Sequence, residues 1–233
     1  MKKVLFYTNQ FFGQIGGEAE AYQKPFIEQG ARGNAQAFVP LLEDAEIVAT
    51  IVCGDNYYAE NMDEVKAFVE AQITELSPDL IIAGPAFNAG RFGIACADIC
   101  KDAVQKMHVE AITGLYEENP AVEMYRKDIY ILKVGKSAAA MRKAVKLMAG
   151  FANKLLAGKE IGLPKEEGYY PKGKRVNVFR QKNGAERAMD MLLKKLKGEP
   201  YETELEISVY EKVKPAEGLD TLAGKKIALC TSG

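Results

Sequence analysis

Ile47–Val48–Ala49–Thr50–Ile51–Val52–Cys53 is nearly all apolar and rich in β-branched side chains. A strand half exposed to water would alternate polar and apolar residues. This one does not, so it reads as a strand covered on both faces, as in a parallel sheet between helices. Similar runs lie to either side, at Val4–Tyr7, Leu80–Ala83, His108–Thr113 and Ile129–Val134. Between them the apolar spacing becomes helical. Met62–Leu76 puts Val65, Phe68, Val69, Ile73 and Leu76 on one stripe, and Phe92–Met107 does so with Ile94, Ala95, Ile99, Ala103 and Met107. Ser137–Ala157 is a long Ala/Lys/Leu/Met helix, with Ser137 as its N-cap and Gly158 as its stop. This alternation predicts an α/β fold over residues 1–157: a doubly wound, mostly parallel sheet with helices on both faces.

The rhythm breaks at residues 158–180, where Gly158, Gly162, Pro164, Gly168, Pro171 and Gly173 surround Tyr169–Tyr170. This is an irregular excursion. A helix follows at Ala185–Lys197, ended by Gly198–Glu199–Pro200. Thr203–Val213 then alternates, with Leu205, Ile207 and Val209 apolar, as a half-buried edge strand or hairpin does. Residues 158–224 are therefore expected to pack on the first domain. Lys225–Lys226–Ile227–Ala228–Leu229–Cys230–Thr231–Ser232 repeats the chemistry of Lys2–Lys3–Val4–Leu5–Phe6–Tyr7–Thr8–Asn9. Either residues 225–233 are the first strand of a second domain, or they are an edge strand of the one present.

Lys and Arg number 31 against 32 Asp and Glu, a net charge of -1 that leaves no overall basic footprint for nucleic acid. No apolar stretch nears the roughly 20 residues that span a bilayer, and the first run is too short for a signal peptide. The expectation is a cytoplasmic protein with no membrane partner. Cys53, Cys96, Cys100 and Cys230 are scattered, as reduced thiols in a cytosol are. Cys96 and Cys100 lie one helical turn apart and read as buried. His108, the one histidine, falls at a helix–strand junction and leaves no Ser–His–Asp or Cys–His pair. No catalytic residue and no metal ligand is assigned.

Ligands of an open α/β sheet collect beyond the carboxyl ends of the strands. The loops there combine Gly, Asn and aromatics: Asn9–Glu18, Gly54–Tyr58, Gly84–Gly93 and Thr113–Pro120. The first loop lacks the G-x-G-x-x-G spacing, and no P-loop occurs. It either shapes its own turn or uses Asn9, Phe11 and Phe12 for a solute. Asn88–Ala89–Gly90–Arg91 precedes a helix, where free amides favour an anion. Arg91 then either grips a carboxylate bidentately or pairs with a surface acid while Asn88 caps the helix. Tyr57 and Tyr58, beside Asp55, either join Phe11 and Phe12 around a cation or divide into one buried and one exposed ring. Together these loops are read as a pocket for a small polar solute. Tyr125–Arg126–Lys127–Asp128 is a solvated lead into a strand or a docking surface.

The strings NQFFGQIGGE (Asn9–Glu18), CGDNYY (Cys53–Tyr58), AGPAFNAGRFG (Ala83–Gly93), ENPAVEMYRKDIYI (Glu118–Ile131) and GAERAMDMLL (Gly184–Leu193) resemble the selenoprotein B subunit of glycine, sarcosine and betaine reductases. The resemblance runs along the whole chain and covers the amino-terminal half of that family. It implies reductive C–N cleavage of glycine, sarcosine or betaine in anaerobic amino-acid fermentation. It implies no cofactor in this chain, because the family's selenocysteine lies in the other half and the pyruvoyl group belongs to a partner subunit. It implies as partners that pyruvoyl-type subunit and selenoprotein A, in an oligomeric complex. All three substrates are small zwitterions, so Asn88, Gly90 and Arg91 are expected at the carboxylate and Phe11, Tyr57 and Tyr58 at the ammonium end. The alternative is a module that binds a small amino acid without chemistry, or that only docks.

Overall fold

The doubly covered run is the core of strand β3 (Ala45–Cys53), whose last five residues are all buried. It lies parallel to β1 (Lys2–Asn9), which pairs on its other side with β4 (Leu80–Phe87). This computed structural model describes residues 1–173, 179–204 and 212–228. The chain divides into two compact units, Met1–Arg175 and Val176–Gly233.

In the first unit, β2 (Phe26–Gln29), β5 (Glu110–Leu115) and β6 (Tyr130–Lys133) complete a six-stranded sheet of order β2-β3-β1-β4-β5-β6. All pairings are parallel except β2 with β3. The expected α/β architecture is what forms. The helices α1 (Asp55–Glu60), α2 (Met62–Leu76), α3 (Gly90–Gln105) and α4 (Pro120–Tyr125) cover one face, around Tyr7, Ile51, Ile81, Phe92 and Ile99. Helix α5 (Met141–Leu156) covers the other, with Phe38, against Phe6, Leu80 and Ile82.

Three differences from the sequence reading have physical causes. The edge strand β2 was not foreseen: it is four residues long and only half-buried, so it shows no apolar run. β4 does not stop at Ala83. It resumes after a register shift past Pro85 and ends at Phe87, buried throughout. Ser137 donates no capping side chain; a short 3-10 turn (Ala138–Ala140) precedes α5 instead. His108 is exposed between α3 and β5, as expected.

The excursion after α5 returns to the sheet. Beyond α6 (Pro164–Glu167), the Gly168 carbonyl accepts from the Lys133 N–H at 2.8 Å, and the Tyr170 N–H donates to Ile131 at 2.9 Å. The Tyr169 ring meets Tyr130 edge-on at 5.1 Å. This segment covers the backbone of β6, which would otherwise be a bare edge.

In the second unit, α7 (Gly184–Lys197) carries a capping box, in which Asn183 and Glu186 satisfy each other's backbone N–H. The strand expected at Thr203–Val213 lies mostly outside the described residues; its described ends, Thr203–Glu204 and Lys212–Val213, are not in strands. Of the expected closing strand, Lys225–Ala228 is irregular and 229–233 lie outside the described residues. Among the described residues, no helix is long and apolar enough to cross a membrane.

One polar cluster ties the first face together. Asp98 on α3 is 6% exposed. It accepts from the Tyr58 hydroxyl at 2.9 Å and pairs with Lys66 of α2 at 2.7 Å. Burial alone would lower the Lys66 pKa, but Asp98 and Asp102 outweigh it and raise it. Lys66→Met strands the Asp98 charge, which costs ~3–5 kcal/mol when a buried pair is broken. The exposed Lys2–Asp79 pair contributes ~1 kcal/mol or less. Urea unfolding of Lys66→Met and Lys2→Met is expected to show that ranking.

Candidate functional site

The chain leaves β1 toward β2 and β3 on one side, and the connection from β3 then crosses to β4 on the other, which opens a crevice at the carboxyl end of β1. Two buried amides shape it. Asn9 accepts from the Gly13 N–H through its carbonyl at 2.8 Å, and from the Phe12 N–H through Oδ1 at 2.9 Å. Its Nδ2 donates to Asp55 at 3.0 Å. Gln10 accepts from the Asp55 N–H through Oε1 at 3.0 Å, and its carbonyl takes the Ile15 N–H at 2.9 Å. The first loop is thereby bound to the start of α1. Below it, the Asn34 N–H donates to Phe12 at 3.1 Å. Gly33 there has φ +59°, and a Cβ would lie 2.0 Å from the Phe12 carbonyl oxygen; only glycine fits.

The opposite wall is the start of α3. Its N-cap, Ala89, supplies no side chain to the first helical amides. Asn119 holds this wall by donating to the carbonyls of Phe87 at 3.0 Å and Ala89 at 3.1 Å. A Cβ on Gly93 would fall 2.3 Å from Asn119 Nδ2, so the two residues interlock.

Between the walls lies a pocket of about 340 Å³ whose lining includes Asn9, Phe11, Phe12, Asp55, Gly90 and Arg91. Phe12 stacks obliquely on Phe87 and Phe92, while Phe11 stands 61% exposed at the mouth, edge-on to Phe12 at 5.2 Å. The pocket holds both signs of charge. Arg91 pairs with Glu18 at 2.8 Å and contacts Asn56, and Glu18 raises its pKa further. Burial raises the Asp55 pKa above the ordinary carboxylate value, against the opposing pull of Asn9, Arg91 and Gln10.

Six of the nine residues singled out from the sequence therefore share one pocket: Asn9, Phe11, Phe12, Asp55, Gly90 and Arg91. Three do not line it. Asn88 neither caps α3 nor faces the pocket; it reaches Glu118 at 3.4 Å. Gly54–Tyr58 is not a loop but the start of α1, and a helix turns successive side chains about a quarter-circle apart. Asp55 thus faces the pocket while Tyr57 and Tyr58 turn inward, both buried. Their hydroxyls donate to Glu64 at 2.8 Å and Asp98 at 2.9 Å. The cation over Tyr57 is Lys24, 5.9 Å from the ring centre. Sequence reasoning missed Gln10, Glu18 and Asn119. Gln10 had a visible signal, since it extends the polar end of an apolar strand.

The whole chain, residues 1–233, matches the model of the family "Glycine/sarcosine/betaine reductase selenoprotein B". The chain belongs to this family. It is 46% identical over 232 residues to the glycine reductase complex component B subunit gamma of Peptoclostridium acidaminophilum, covering 99% of this chain and 53% of that protein. From the same organism, the sarcosine reductase complex component B subunit beta is 44% identical over 232 residues, with the same coverage. The betaine reductase complex component B subunit beta is 43% identical over 235 residues, covering 100% of this chain and 54% of that protein. The chain thus spans about half the length of these relatives. No solved structure matches it.

The Asp55 environment has a measurable sign. A carboxyl whose folded pKa is raised favours the folded state while protonated, and that advantage is lost as pH rises from the unfolded value through the folded one. Asp55→Asn is therefore expected to raise the melting temperature at neutral pH, with the gap to the unaltered protein closing as pH falls toward 3.8. A variant less stable at neutral pH would contradict this electrostatic account.

Proposed function

We propose that this chain supplies the substrate-holding part of component B in a reductase that cleaves the C–N bond of glycine, sarcosine or betaine. The single observation behind this reading is that Arg91 and Asp55, of opposite charge, line one small pocket at the switch point of the sheet. A zwitterion needs both. Its carboxylate would take the place of Glu18 at Arg91 and meet the open amides of α3. Its ammonium would face Asp55, with Phe11 and Phe12 against any methyl groups.

In this reading the chain binds and orients, and the redox chemistry belongs elsewhere in the complex: a selenocysteine outside this sequence and a pyruvoyl group on another subunit. The described cysteines support that division. Cys53, Cys96 and Cys100 are all buried. Burial pushes the Cys53 thiol up to about 12 and raises the other two as well. None is a ready nucleophile.

Calorimetry with glycine, sarcosine and betaine tests the reading. At least one should bind at millimolar concentration or tighter. Arg91→Met removes charge-assisted hydrogen bonds worth ~1.5–3 kcal/mol, so affinity should fall tenfold or more. No heat from any of the three ligands, or unchanged affinity in Arg91→Met, would refute the assignment.

A further inference from the structure

The solvent face of α5 breaks two local rules at once. Arg142 and Lys143 stand in its first turn, where the positive end of the helix dipole disfavours cations. Lys146 follows within one turn, so three like charges repel at neighbouring helical positions. No Asp or Glu occurs from Ser137 to Lys159. Among the described residues, none of these three cations has an ion pair, whereas Lys2, Lys66, Arg91 and Lys106 each hold a carboxylate. Helix α5 needs none of the three for its packing, which rests on Val145, Met148, Phe151 and Ala152. Charge kept where it opposes the fold marks a surface used for something else.

That surface has shape as well as charge. Lys143 and Lys146 border a groove of about 460 Å³ floored by Leu147 and Phe151. The acids on its far side are engaged: Glu167 by Lys154 at 2.6 Å, and Glu166 by the Leu163 N–H at 3.2 Å. The amino end of α5 reaches the residues around the pocket. Met141, next to Arg142, packs in one cluster with Phe12 and Phe87.

We propose that Arg142, Lys143 and Lys146, with the groove beside them, form a docking surface for the acidic face of another protein subunit. An acidic partner supplies the counter-charges the helix lacks. A protein fits better than a nucleic acid. The three cations span about one helical turn, ~5 Å, too little to follow a phosphate backbone over the 6–10 contacts such binding commonly uses. The relatives, moreover, are named as subunits of complexes. This inference rests on family membership, not on the amine pocket.

The test uses the full chain, with each other subunit of the reductase complex from the same organism immobilised in turn. At least one should bind, more weakly as salt rises. Arg142→Glu/Lys143→Glu/Lys146→Glu should lose about tenfold or more in affinity, and the triple Gln variant should lose less. The triple Gln variant, which relieves the repulsion, should melt no lower than the unaltered chain, and both variants should keep any amine heat. The proposal is overturned if no subunit binds, or if the charge-reversed chain binds as well as the original. It is also overturned if the same substitutions abolish binding only to a short DNA duplex, or only to the remaining half of the longer relatives.

Discussion

Two primary amides, buried where β1 ends, hold the candidate site in place. Asn9 is 4% exposed and Gln10 2%. A buried amide must have its donors and acceptors met within the protein. Here they are met by the first loop on one side and by Asp55 on the other. The loop therefore has a shape that its glycines alone would not give it. Asp55 in turn begins α1, and α1 is anchored from behind by Tyr58 on Asp98. A continuous set of hydrogen bonds runs from the pocket to the ion-pair cluster between α2 and α3.

The distribution of charge follows from the same architecture. The ion pair of Lys66 with Asp98, within the helical layer on one face, is largely shielded. At the pocket, Arg91 is held by Glu18 at the exposed rim, while Asp55 is met by uncharged amides and is destabilised by its burial. On α5, charges of one sign are left without partners. These are three different uses of ionisable groups, and only the first holds the fold together. The others oppose local stability, which is the usual mark of a surface kept for function.

Much of this was legible in the chain. The parallel sheet announced itself because β4 carries no polar residue and β3, beyond Glu46, carries only Thr50 to disguise it. The position of the pocket followed from the rule that ligands gather beyond strand ends. The failures came where local pattern and tertiary setting part. β2 is strand only because it pairs with β3. Tyr57 and Tyr58 looked like loop aromatics because a six-residue helix has too few turns to show a period. Asn119 gave no sign of its role, since its contacts reach back some thirty positions in sequence.

The fit between Gly93 and Asn119 has a consequence for how this family can vary. Any side chain at 93 would collide with the amide that fixes the start of α3. Shrinking residue 119 would make room but release the wall. The two positions are thus free to drift only as a pair, through an intermediate that is impaired whichever changes first. Across distant relatives they should be inherited together, a linked signature separated by a strand and a helix.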